Sequence, residues 1–486
     1  MKSEHQANDD QRLAAFEPVG IDSPTFRWRE IDGGVLYTND AGRFFLADEM
    51  MHDRFQREEL TPTDHEMLER SGLLPRGELG ELALRFAGAQ RNFEPGPLDY
   101  LILVPTLRCN LACSYCQVSR AAIGAKGFDW SEETQSAVLD IISGVEASSI
   151  KIEFQGGEPT LRPDLINSVI NAIPEGVDAT FVICTNLQLI DDQIIAIFDR
   201  PDVFISTSLD GPLELHSKQR QFSDAKTERF FSNLTYLLDR YGPAKISALP
   251  TVDPKSPPNA DELIDAFARR GFESIYLRPI NYQGFARKRH AHAKQTERVW
   301  KDYHEHFIKR LIERNFENRE SVLEETYFSL LLRRIFRPGS DRHVDLRNPN
   351  PVGRDYIVVD HDGTVYPTDE ARMLARSGII DLSIGDVANG WDTPARAALD
   401  AASTLEGDAT CAKCAYKPFC GRDIVDDIAR YGTVDLPREK TEFCRRHLHL
   451  FDFAMKMLHD DNEKIRYSVN RWLGISGRGT VLGDLR

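Results

Sequence analysis

The sequence lacks the two features that would direct a chain into or across a membrane. No run of about 18 apolar residues, the minimum for a membrane-spanning helix, occurs in it. The first residues, 1–6, are polar and do not supply the apolar core of a signal peptide. We therefore expect a soluble, cytoplasmic protein with no membrane partner.

Positive charge is also in deficit. The chain of 486 residues carries 60 Lys and Arg against 76 Asp and Glu, a net charge of −16. Because cationic side chains supply most of the affinity for a phosphate backbone, this balance argues against a nucleic acid partner. With 41% hydrophobic residues the chain can bury a large core, and its length predicts roughly two to four domains.

Cysteine is scarce, but seven of the eight cysteines fall into two spaced groups. In a reducing compartment, spaced cysteines indicate metal or cluster ligands before disulfides. The first group is Cys109, Cys113 and Cys116, and chance would give its C-x3-C-x2-C spacing on the order of 0.002 times in such a chain. Three thiolates leave one iron of a four-iron cluster open to another ligand. The alternative is three ordinary buried cysteines.

The second group of cysteines has the spacing C-x2-C-x5-C with a later fourth member: Cys411, Cys414, Cys420 and Cys444. Four thiolates fill every position of a tetrahedral zinc site or of a closed iron-sulfur cluster. Taken alone, the spacing favours zinc. The remaining cysteine, Cys184, lies within an apolar, strand-like run and is interpreted as a small buried hydrophobe.

Residues 1–97 predict a small α+β domain. Two extended runs, 35–37 and 43–46, flank a turn that contains Gly42, which is typical of a hairpin. A helix is expected to begin after Thr61, with Pro62 in its first turn. A hairpin with helices of this size resembles winged-helix modules. The Pro/Gly connection at residues 94–97 then indicates a domain boundary.

From residue 98 onward, strand-like and helical segments alternate, which is typical of a parallel sheet with crossover helices. Six strands are predicted near residues 100–105, 150–154, 180–185, 203–209, 245–251 and 274–278. The helix after the first strand is expected to begin after Ser131 and to end at Gly144. Six such units predict an α/β partial barrel, whose chemistry would lie where the strands end.

The three-cysteine motif, followed by Gly156-Gly157-Glu158 after the second strand, resembles the radical SAM (S-adenosylmethionine) superfamily. The resemblance implies an open (β/α)6 radical SAM barrel, a [4Fe–4S] cluster on the three cysteines, and S-adenosylmethionine at its open iron. It also implies reductive cleavage of that cofactor to a 5′-deoxyadenosyl radical, which abstracts a hydrogen from the substrate.

The same resemblance gives cofactor-binding roles to residues at the strand ends. Gly156 and Gly157 would let the backbone approach a ligand closely, and Glu158 would accept from the amino group of S-adenosylmethionine. Arg220 resembles the family arginine that pairs with the cofactor carboxylate, with a solvated surface arginine as the alternative. Further residues are placed to bind the ribose or the cofactor carboxylate, unless they are ordinary turn residues: Thr185, Asn186, Ser206, Ser208 and Asp210.

Beside the radical motif, the second cysteine group resembles SPASM, the auxiliary-cluster domain of peptide-modifying radical enzymes. Thr368 and Ile424 occupy two cysteine positions of that domain, and no cysteine lies between Cys184 and Cys411. Because these losses remove the first auxiliary cluster, we expect one auxiliary [4Fe–4S] cluster and two clusters in total. Asp369 aligns with the acid/base aspartate of anaerobic sulfatase-maturing enzymes and is the candidate catalytic residue, with a solvated turn as the alternative.

At a finer level, segments 116–120 and 353–373 and the reduced auxiliary domain resemble the maturase of the His-Xaa-Ser peptide-modification system, over residues 27–460. The resemblance implies a ribosomally made peptide or protein substrate, a companion radical SAM enzyme, and an electron donor such as flavodoxin or ferredoxin. Two alternatives stay open: sulfatase-maturase-like oxidation of a residue in a folded enzyme, and a non-catalytic cluster-binding scaffold.

The predicted organisation has four parts. Residues 1–97 form the N-terminal α+β domain, for which leader-peptide recognition and simple packing against the next domain are the two interpretations. Residues 98–290 form the partial barrel, and residues 291–350 a helical bridge. Residues 351–486 form the SPASM-like domain and a C-terminal tail.

Overall fold

The structure is a computed structural model that describes residues 26–336 and 346–475. The strands among these residues are β1 (Arg27–Ile31), β2 (Gly34–Thr38), β3 (Phe44–Ala47), β4 (Tyr100–Leu103), β5 (Arg108–Cys109), β6 (Ala121–Ala122), β7 (Ser149–Phe154), β8 (Asp178–Cys184), β9 (Val203–Ser208), β10 (Ile246–Leu249), β11 (Thr251–Val252), β12 (Ser274–Ile275), β13 (Arg278–Pro279), β14 (Glu324–Glu325), β15 (Tyr356–Val359), β16 (Thr364–Tyr366) and β17 (Gly385–Asp386).

The α-helices of the described residues fall into three groups along the chain. The N-terminal helices are Glu49–Gln56, Pro62–Arg70 and Gly77–Ala89. The helices between the barrel strands are Glu132–Ser143, Pro163–Asn171, Asp192–Phe198, Leu213–Arg220, Asp224–Tyr241 and Ala260–Ala268. The later helices are Ala286–Arg289, Glu297–Glu317, Thr326–Phe336, Asp369–Arg376, Pro394–Ala402, Ala409–Lys413, Ile424–Tyr431, Glu442–Leu458 and Glu463–Trp472.

The N-terminal sheet is antiparallel, with strand order β1-β2-β3, and it contains the predicted hairpin. The helix predicted after Thr61 begins at Pro62. The Thr61 side chain accepts from the Asp64 backbone N–H, while the Asp64 carboxylate accepts from the Thr61 N–H. This capping box satisfies two backbone donors of the first turn, and such a cap is typically worth about 1 kcal/mol.

The central sheet has eight strands in the order β10-β9-β8-β7-β4-β15-β16-β17. Strands β4, β7, β8, β9 and β10 are parallel and correspond to the first five predicted strands. In β7, the alternate residues Ile150, Ile152 and Phe154 are buried in the main hydrophobic core with the crossover helices. Because side chains alternate along a strand, Lys151 and Glu153 face the interior of the open barrel.

The sixth predicted strand, near residues 274–278, differs from the prediction. It divides into β12 and β13, which pair with β14 and β11 in two separate two-stranded sheets. The division is at Leu277, whose backbone N–H donates at 3.0 Å to the buried side-chain carboxylate of Glu325 in β14 rather than to a backbone carbonyl of a neighbouring strand. The α/β partial barrel is therefore open, in agreement with the predicted fold class.

The C-terminal part joins the same sheet. Strand β15 pairs in parallel with β4, from Tyr356 opposite Tyr100 to Val359 opposite Leu103. Strands β16 and β17 then extend the sheet in the antiparallel sense. None of the helices in the described ranges is long and apolar enough to cross a membrane.

Candidate functional site

The first three cysteines lie on one loop, residues 109–120, which we name the cysteine loop. It lies between β5 and β6, beyond the carboxyl end of β4. Cys109 is buried, Cys113 and Cys116 are half-buried, and none forms a disulfide. Burial, followed by the charges of Glu158 and the other two thiols, raises the pKa of Cys109 to about 12. A buried thiol with a raised pKa, on one loop with two further free cysteines, fits the ligand set of a cluster of iron ions, whose positive charge would stabilise the thiolates.

Gly156 and Gly157 bring the loop after β7 against residues 106–108, which lead into the cysteine loop. A Cβ on Gly156, whose φ is +120°, would lie 2.3 Å from the Thr106 carbonyl oxygen, and one on Gly157 would lie 2.2 Å from that of Arg108. The Glu158 backbone N–H donates to the Arg108 carbonyl at 2.9 Å. The close approach that these glycines allow is therefore to the protein's own backbone, which holds Glu158 beside the cysteines.

Glu158 is a buried carboxylate, 1% exposed. One oxygen accepts from Thr160, and the other accepts from the Asn186 backbone N–H at 2.8 Å. Burial raises the pKa of Glu158, although these hydrogen bonds act in the opposite sense. No lysine or arginine of the described ranges pairs with it. A buried carboxylate without a cation fits an incoming ammonium group, such as that of S-adenosylmethionine.

The polar residues at the ends of β8 and β9 are divided between the cysteine loop and the barrel interior. The Asn186 side-chain amide donates to the Asn110 side chain at 2.8 Å and lies 3.8 Å from the Cys109 sulfur. Thr185 is buried and accepts from the Leu187 backbone N–H. Ser206 and Ser208 are half-buried on the face of β9 that points away from the main core. This places both hydroxyls on the side of the sheet that faces the barrel interior.

Asp210 and Arg220 are buried with Tyr115 of the cysteine loop. The Tyr115 hydroxyl donates to Asp210 Oδ2 at 2.6 Å, and Arg220 Nε lies 3.1 Å from the Tyr115 oxygen and 3.4 Å from Asp210 Oδ2. Asp210 Oδ1 accepts from the Thr251 backbone N–H at 3.0 Å. Asp210 is thus engaged in holding the cysteine loop rather than turned to a ligand.

Arg220 is 6% exposed, so the alternative of a solvated surface arginine is wrong. Its charge favours the thiolate of Cys113, although burial has the larger effect and raises that pKa. Arg220 therefore lies where its guanidinium can act on both Asp210 and the cysteine loop. We keep its role toward a cofactor carboxylate as a prediction.

The second group of cysteines surrounds one small apolar pocket, which is also lined by Tyr416, Arg438 and Phe451. Burial raises the pKa of all four thiols, that of Cys420 to about 11. The Arg438 charge opposes this effect at Cys411, Cys420 and Cys444. Four sulfurs around an apolar pocket, with a buried cation at its wall, fit a closed four-thiolate cluster.

The residues at the two positions where the SPASM pattern expects a cysteine have structural roles. Thr368 is the N-cap of the helix Asp369–Arg376, and its hydroxyl accepts from the Ala371 N–H. Ile424 is 3% exposed in an apolar cluster with Tyr356 and Val358. A cap and a core residue therefore occupy these positions, in keeping with one auxiliary cluster.

Asp369 is 9% exposed, so the alternative of a solvated turn is wrong. Its Oδ1 accepts from Nε of the fully buried Arg372 at 2.8 Å and lies 2.8 Å from Nη2 of the same guanidinium. Arg372 also donates to the Val118 carbonyl at 3.3 Å and lies 3.7 Å from Asp360. Asp369 is therefore connected through one arginine to the cysteine loop.

Sequence reasoning missed a polar cluster in the barrel interior. Glu153 accepts from Tyr100 at 2.9 Å, from Gln155 at 2.6 Å and from the Cys184 sulfur at 3.3 Å. The interpretation of Cys184 as a simple buried hydrophobe is therefore wrong. The alternation along β7, with Lys151, Glu153 and Gln155 between apolar residues, was the signal that could have found this cluster. Tyr115 was also missed, because nothing in the sequence pairs it with Asp210.

Comparisons with known proteins agree with this geometry. Residues 103–267 match the model of the radical SAM superfamily. A cysteine-type anaerobic sulfatase-maturating enzyme of Clostridium novyi is 24% identical over 352 residues, 66% of this chain and 86% of the relative. An uncharacterized protein of Methanocaldococcus jannaschii is 28% identical over 183 residues, 37% of this chain and 61% of the relative, so the match covers less than two thirds of that protein.

Solved structures share the fold. The structure of anSMEcpe with bound AdoMet has a TM-score of 0.60 and 18% identity, and the match covers 76% of this chain and 99% of that one. The structure of Streptococcus suis SuiB bound to the precursor peptide SuiA has a TM-score of 0.52 and 12% identity, with 86% and 98% covered. Residues 103–267 are therefore a radical SAM domain, the type of domain that binds a [4Fe–4S] cluster and S-adenosylmethionine, within the α/β fold of these structures.

Proposed function

We propose that this chain is a radical SAM maturase that modifies a ribosomally made peptide or protein. The observation that carries the proposal is Glu158, a buried carboxylate with no cationic partner in the described ranges, held against the loop that bears three free cysteines. Because burying a lone charge is costly, a buried carboxylate without a cation beside three free thiols favours a site that receives a cation.

When bound, the cluster and S-adenosylmethionine supply the 5′-deoxyadenosyl radical that removes a hydrogen from the substrate. The protein's own residues would bind the cluster and S-adenosylmethionine and orient the cofactor. Cys109, Cys113 and Cys116 would hold the cluster, and Glu158 would accept from the ammonium group. Gly156 and Gly157 set the position of Glu158. Other polar residues at the strand ends would bind the ribose and the cofactor carboxylate: Thr185, Asn186, Ser206, Ser208 and Arg220.

The barrel interior supports a polar substrate group. The cluster around Glu153 combines a carboxylate, a phenol and a thiol on strands β4, β7 and β8 with the amide of Gln155, which directly follows β7. An ionised carboxylate that accepts three hydrogen bonds stays charged: burial acts to raise its pKa, but Lys151 and these donors leave the pKa of Glu153 below its usual range. Such a group would bind a donor of the substrate and keep it aligned.

A peptide partner is supported by the fold. The solved structures of anSMEcpe and SuiB include complexes with the Cp18Cys and SuiA peptides. The four-cysteine pocket in the C-terminal part supports one auxiliary [4Fe–4S] cluster. The finer proposal is a substrate of the His-Xaa-Ser type, with a companion radical SAM enzyme and a flavodoxin or ferredoxin as electron donor.

Asp369 is proposed as the acid/base residue. Its Oδ1 is held by Arg372, and no described residue donates to its Oδ2. A carboxylate that is connected to the cysteine loop and has one oxygen without a described donor could take a proton as the substrate is oxidised. Asp369→Asn should form 5′-deoxyadenosine and lose modified peptide. Asp360→Asn, which also removes a charge next to Arg372, is the matched control and should keep the product.

The test of the proposal is anaerobic reconstitution with iron, sulfide, reductant and S-adenosylmethionine, with the peptide encoded next to this protein as substrate. We expect 5′-deoxyadenosine and a mass change in the peptide, both lost in Cys113→Ser. No 5′-deoxyadenosine from fully reconstituted protein would indicate the non-catalytic scaffold. Modification of a sulfatase peptide instead would indicate the second candidate, which the alignment with the Clostridium novyi enzyme favours.

A further inference from the structure

A group of two imidazoles and one carboxylate lies outside both cysteine sites. His292 Nε2 lies 2.8 Å from Asp253 Oδ1, and His290 Nδ1 lies 3.5 Å from Asp253 Oδ2. One ligand atom from each of the three residues falls within 4.8 Å of the others. All three side chains are half-buried, so solvent reaches the group from one side.

The fold brings these residues together from distant parts of the chain. Asp253 directly follows β11, next to the end of the fifth barrel strand. The two histidines belong to residues 280–294, which follow β13 and which we name the bridging segment. His290 caps the short helix Ala286–Arg289, and His292 lies in the 3-10 turn Ala291–Lys294. Because β11 and β13 pair in parallel, the chain leaves both strands at the same edge.

We propose that Asp253, His290 and His292 bind one divalent transition-metal ion of the zinc class. Two imidazole nitrogens and a carboxylate oxygen form a common protein ligand set for such ions. Ligand atoms roughly 2.0–2.1 Å from a tetrahedral zinc ion lie about 3.3 Å from one another. The two histidine nitrogens lie 2.8 and 3.5 Å from the two oxygens of Asp253, and one ligand atom from each residue lies within 4.8 Å of the others, so side-chain movements of an ångström or two would bring all three around one ion.

Basic side chains on the same segment are directed to other partners. The Arg287 guanidinium lies 4.5 Å from the centre of the Tyr282 ring, and Lys288 Nζ lies 5.1 Å from that of Phe285. Neither forms an ion pair with Asp253 in the described ranges. Among the described side chains the carboxylate is therefore left to the two histidines, one at each oxygen, while its Oδ1 also accepts from the Lys255 backbone N–H at 3.0 Å.

The ion would fasten the bridging segment over the cysteine loop. Tyr282 and Ala293 of that segment pack in one apolar cluster with Tyr115. A Cβ on Gly284 would lie 2.2 Å from the Gln117 carbonyl oxygen, so the segment and the loop are in close backbone contact. The role goes beyond the proposed function, since it requires neither S-adenosylmethionine nor a substrate.

The test uses the full chain with both cysteine sites reconstituted anaerobically with iron and sulfide. The protein is equilibrated with zinc sulfate and desalted, and zinc and iron are measured per chain. We expect one zinc ion more in the wild type than in Asp253→Asn, His290→Gln or His292→Gln, with equal iron in all four. His306→Gln, at an exposed histidine, is the matched control and should keep the zinc.

X-ray absorption at the zinc edge of the wild type gives a second, variant-free readout. Nitrogen and oxygen neighbours at about 2.0–2.1 Å would support the proposal, whereas sulfur neighbours at about 2.3 Å would place the zinc on cysteines. Equal zinc in the wild type and in the three variants would overturn the proposal and leave a plain hydrogen-bonded contact. Because the readouts are metal content and metal ligands, failure here leaves the proposed radical activity untouched.

Discussion

The Tyr115 hydroxyl donates to Asp210 Oδ2 at 2.6 Å and thereby joins the cysteine loop to the end of β9. Both residues are buried, and Arg220 Nε lies 3.1 Å from the Tyr115 hydroxyl oxygen and 3.4 Å from Asp210 Oδ2. The cysteine loop contains little regular structure of its own. Together with the hydrogen bonds of Ser114 to the Gln219 carbonyl and of Asn186 to Asn110, this contact fixes the position of the loop relative to the barrel.

Tyr115→Phe tests that contact. Removing the hydroxyl leaves a buried carboxylate with one donor fewer, which should cost about 1–3 kcal/mol of stability. We expect a lower Tm and less iron retained after desalting. Tyr236→Phe, at a tyrosine that is 45% exposed, is the control and should leave both unchanged. Equal Tm and iron in the two variants would contradict the role of the contact.

Gly157→Ala tests the approach of the loop after β7 to the cysteine loop. The added methyl would lie 2.2 Å from the Arg108 carbonyl oxygen and 2.4 Å from that of Leu107, so the backbone must separate. We expect loss of S-adenosylmethionine binding, measured by equilibrium dialysis, because Glu158 moves with the loop. Gly124→Ala, where the methyl meets no atom within 4 Å, should bind as the wild type does.

Glu158→Gln removes the proposed partner of the ammonium group. A hydrogen bond to a charged group is worth about 1.5–3 kcal/mol, so affinity for S-adenosylmethionine should fall roughly 10- to 100-fold. Glu146→Gln, at an exposed glutamate, should have no effect. Calorimetric titration of both variants measures the difference.

The same carboxylate predicts a pH dependence. Burial raises the pKa of Glu158, and only the ionised form attracts an ammonium group. The wild type should therefore bind S-adenosylmethionine with full affinity at pH values above the raised pKa, and the affinity should decline as the pH falls through that pKa. The decline should occur at a higher pH than it would for an ordinary glutamate, whose pKa is near 4.3. Glu158→Gln should lack this decline. A pH profile identical to that of the wild type would show that another group causes the decline.

Cys444→Ser tests the number of clusters. If Cys411, Cys414, Cys420 and Cys444 hold one [4Fe–4S] cluster, the variant should contain about four irons per chain instead of about eight. Cys184→Ser is the matched control, because that sulfur contacts Glu153 and not a cysteine group. About eight irons in Cys444→Ser would contradict the assignment, as would about twelve in the wild type.

The sequence predicted most of what depends on local pattern. Alternating segments gave the parallel strands, Thr61 and Ser131 marked helix starts, and cysteine spacing identified both candidate cluster sites. Long-range contacts could not be predicted this way. Glycines 156 and 157 were expected to admit a ligand, but they admit the backbone of residues 106–108. That distinction depends on which chain segment lies opposite, and a single sequence does not contain it.

The buried charges were the second point at which sequence reasoning stopped. Arg220 and Asp369 each had a solvated alternative, since charged residues are usually exposed. The structure buries both, because Asp210 and Arg372 compensate their charges. Arg372, the partner of Asp369, lies three residues away and could have been inferred from helical spacing, whereas Tyr115, a partner of Asp210, lies on another element.

The parallel pairing of β15 with β4 has a consequence for how the chain is made. More than half of the 486 residues separate Tyr100 from Tyr356, so the first barrel strand emerges from the ribosome long before its neighbour exists. Until then, its backbone donors and acceptors form an open edge that can recruit a strand from another molecule. A truncated chain that ends before residue 350 should therefore aggregate during expression, even though every residue of the three-cysteine site would be present.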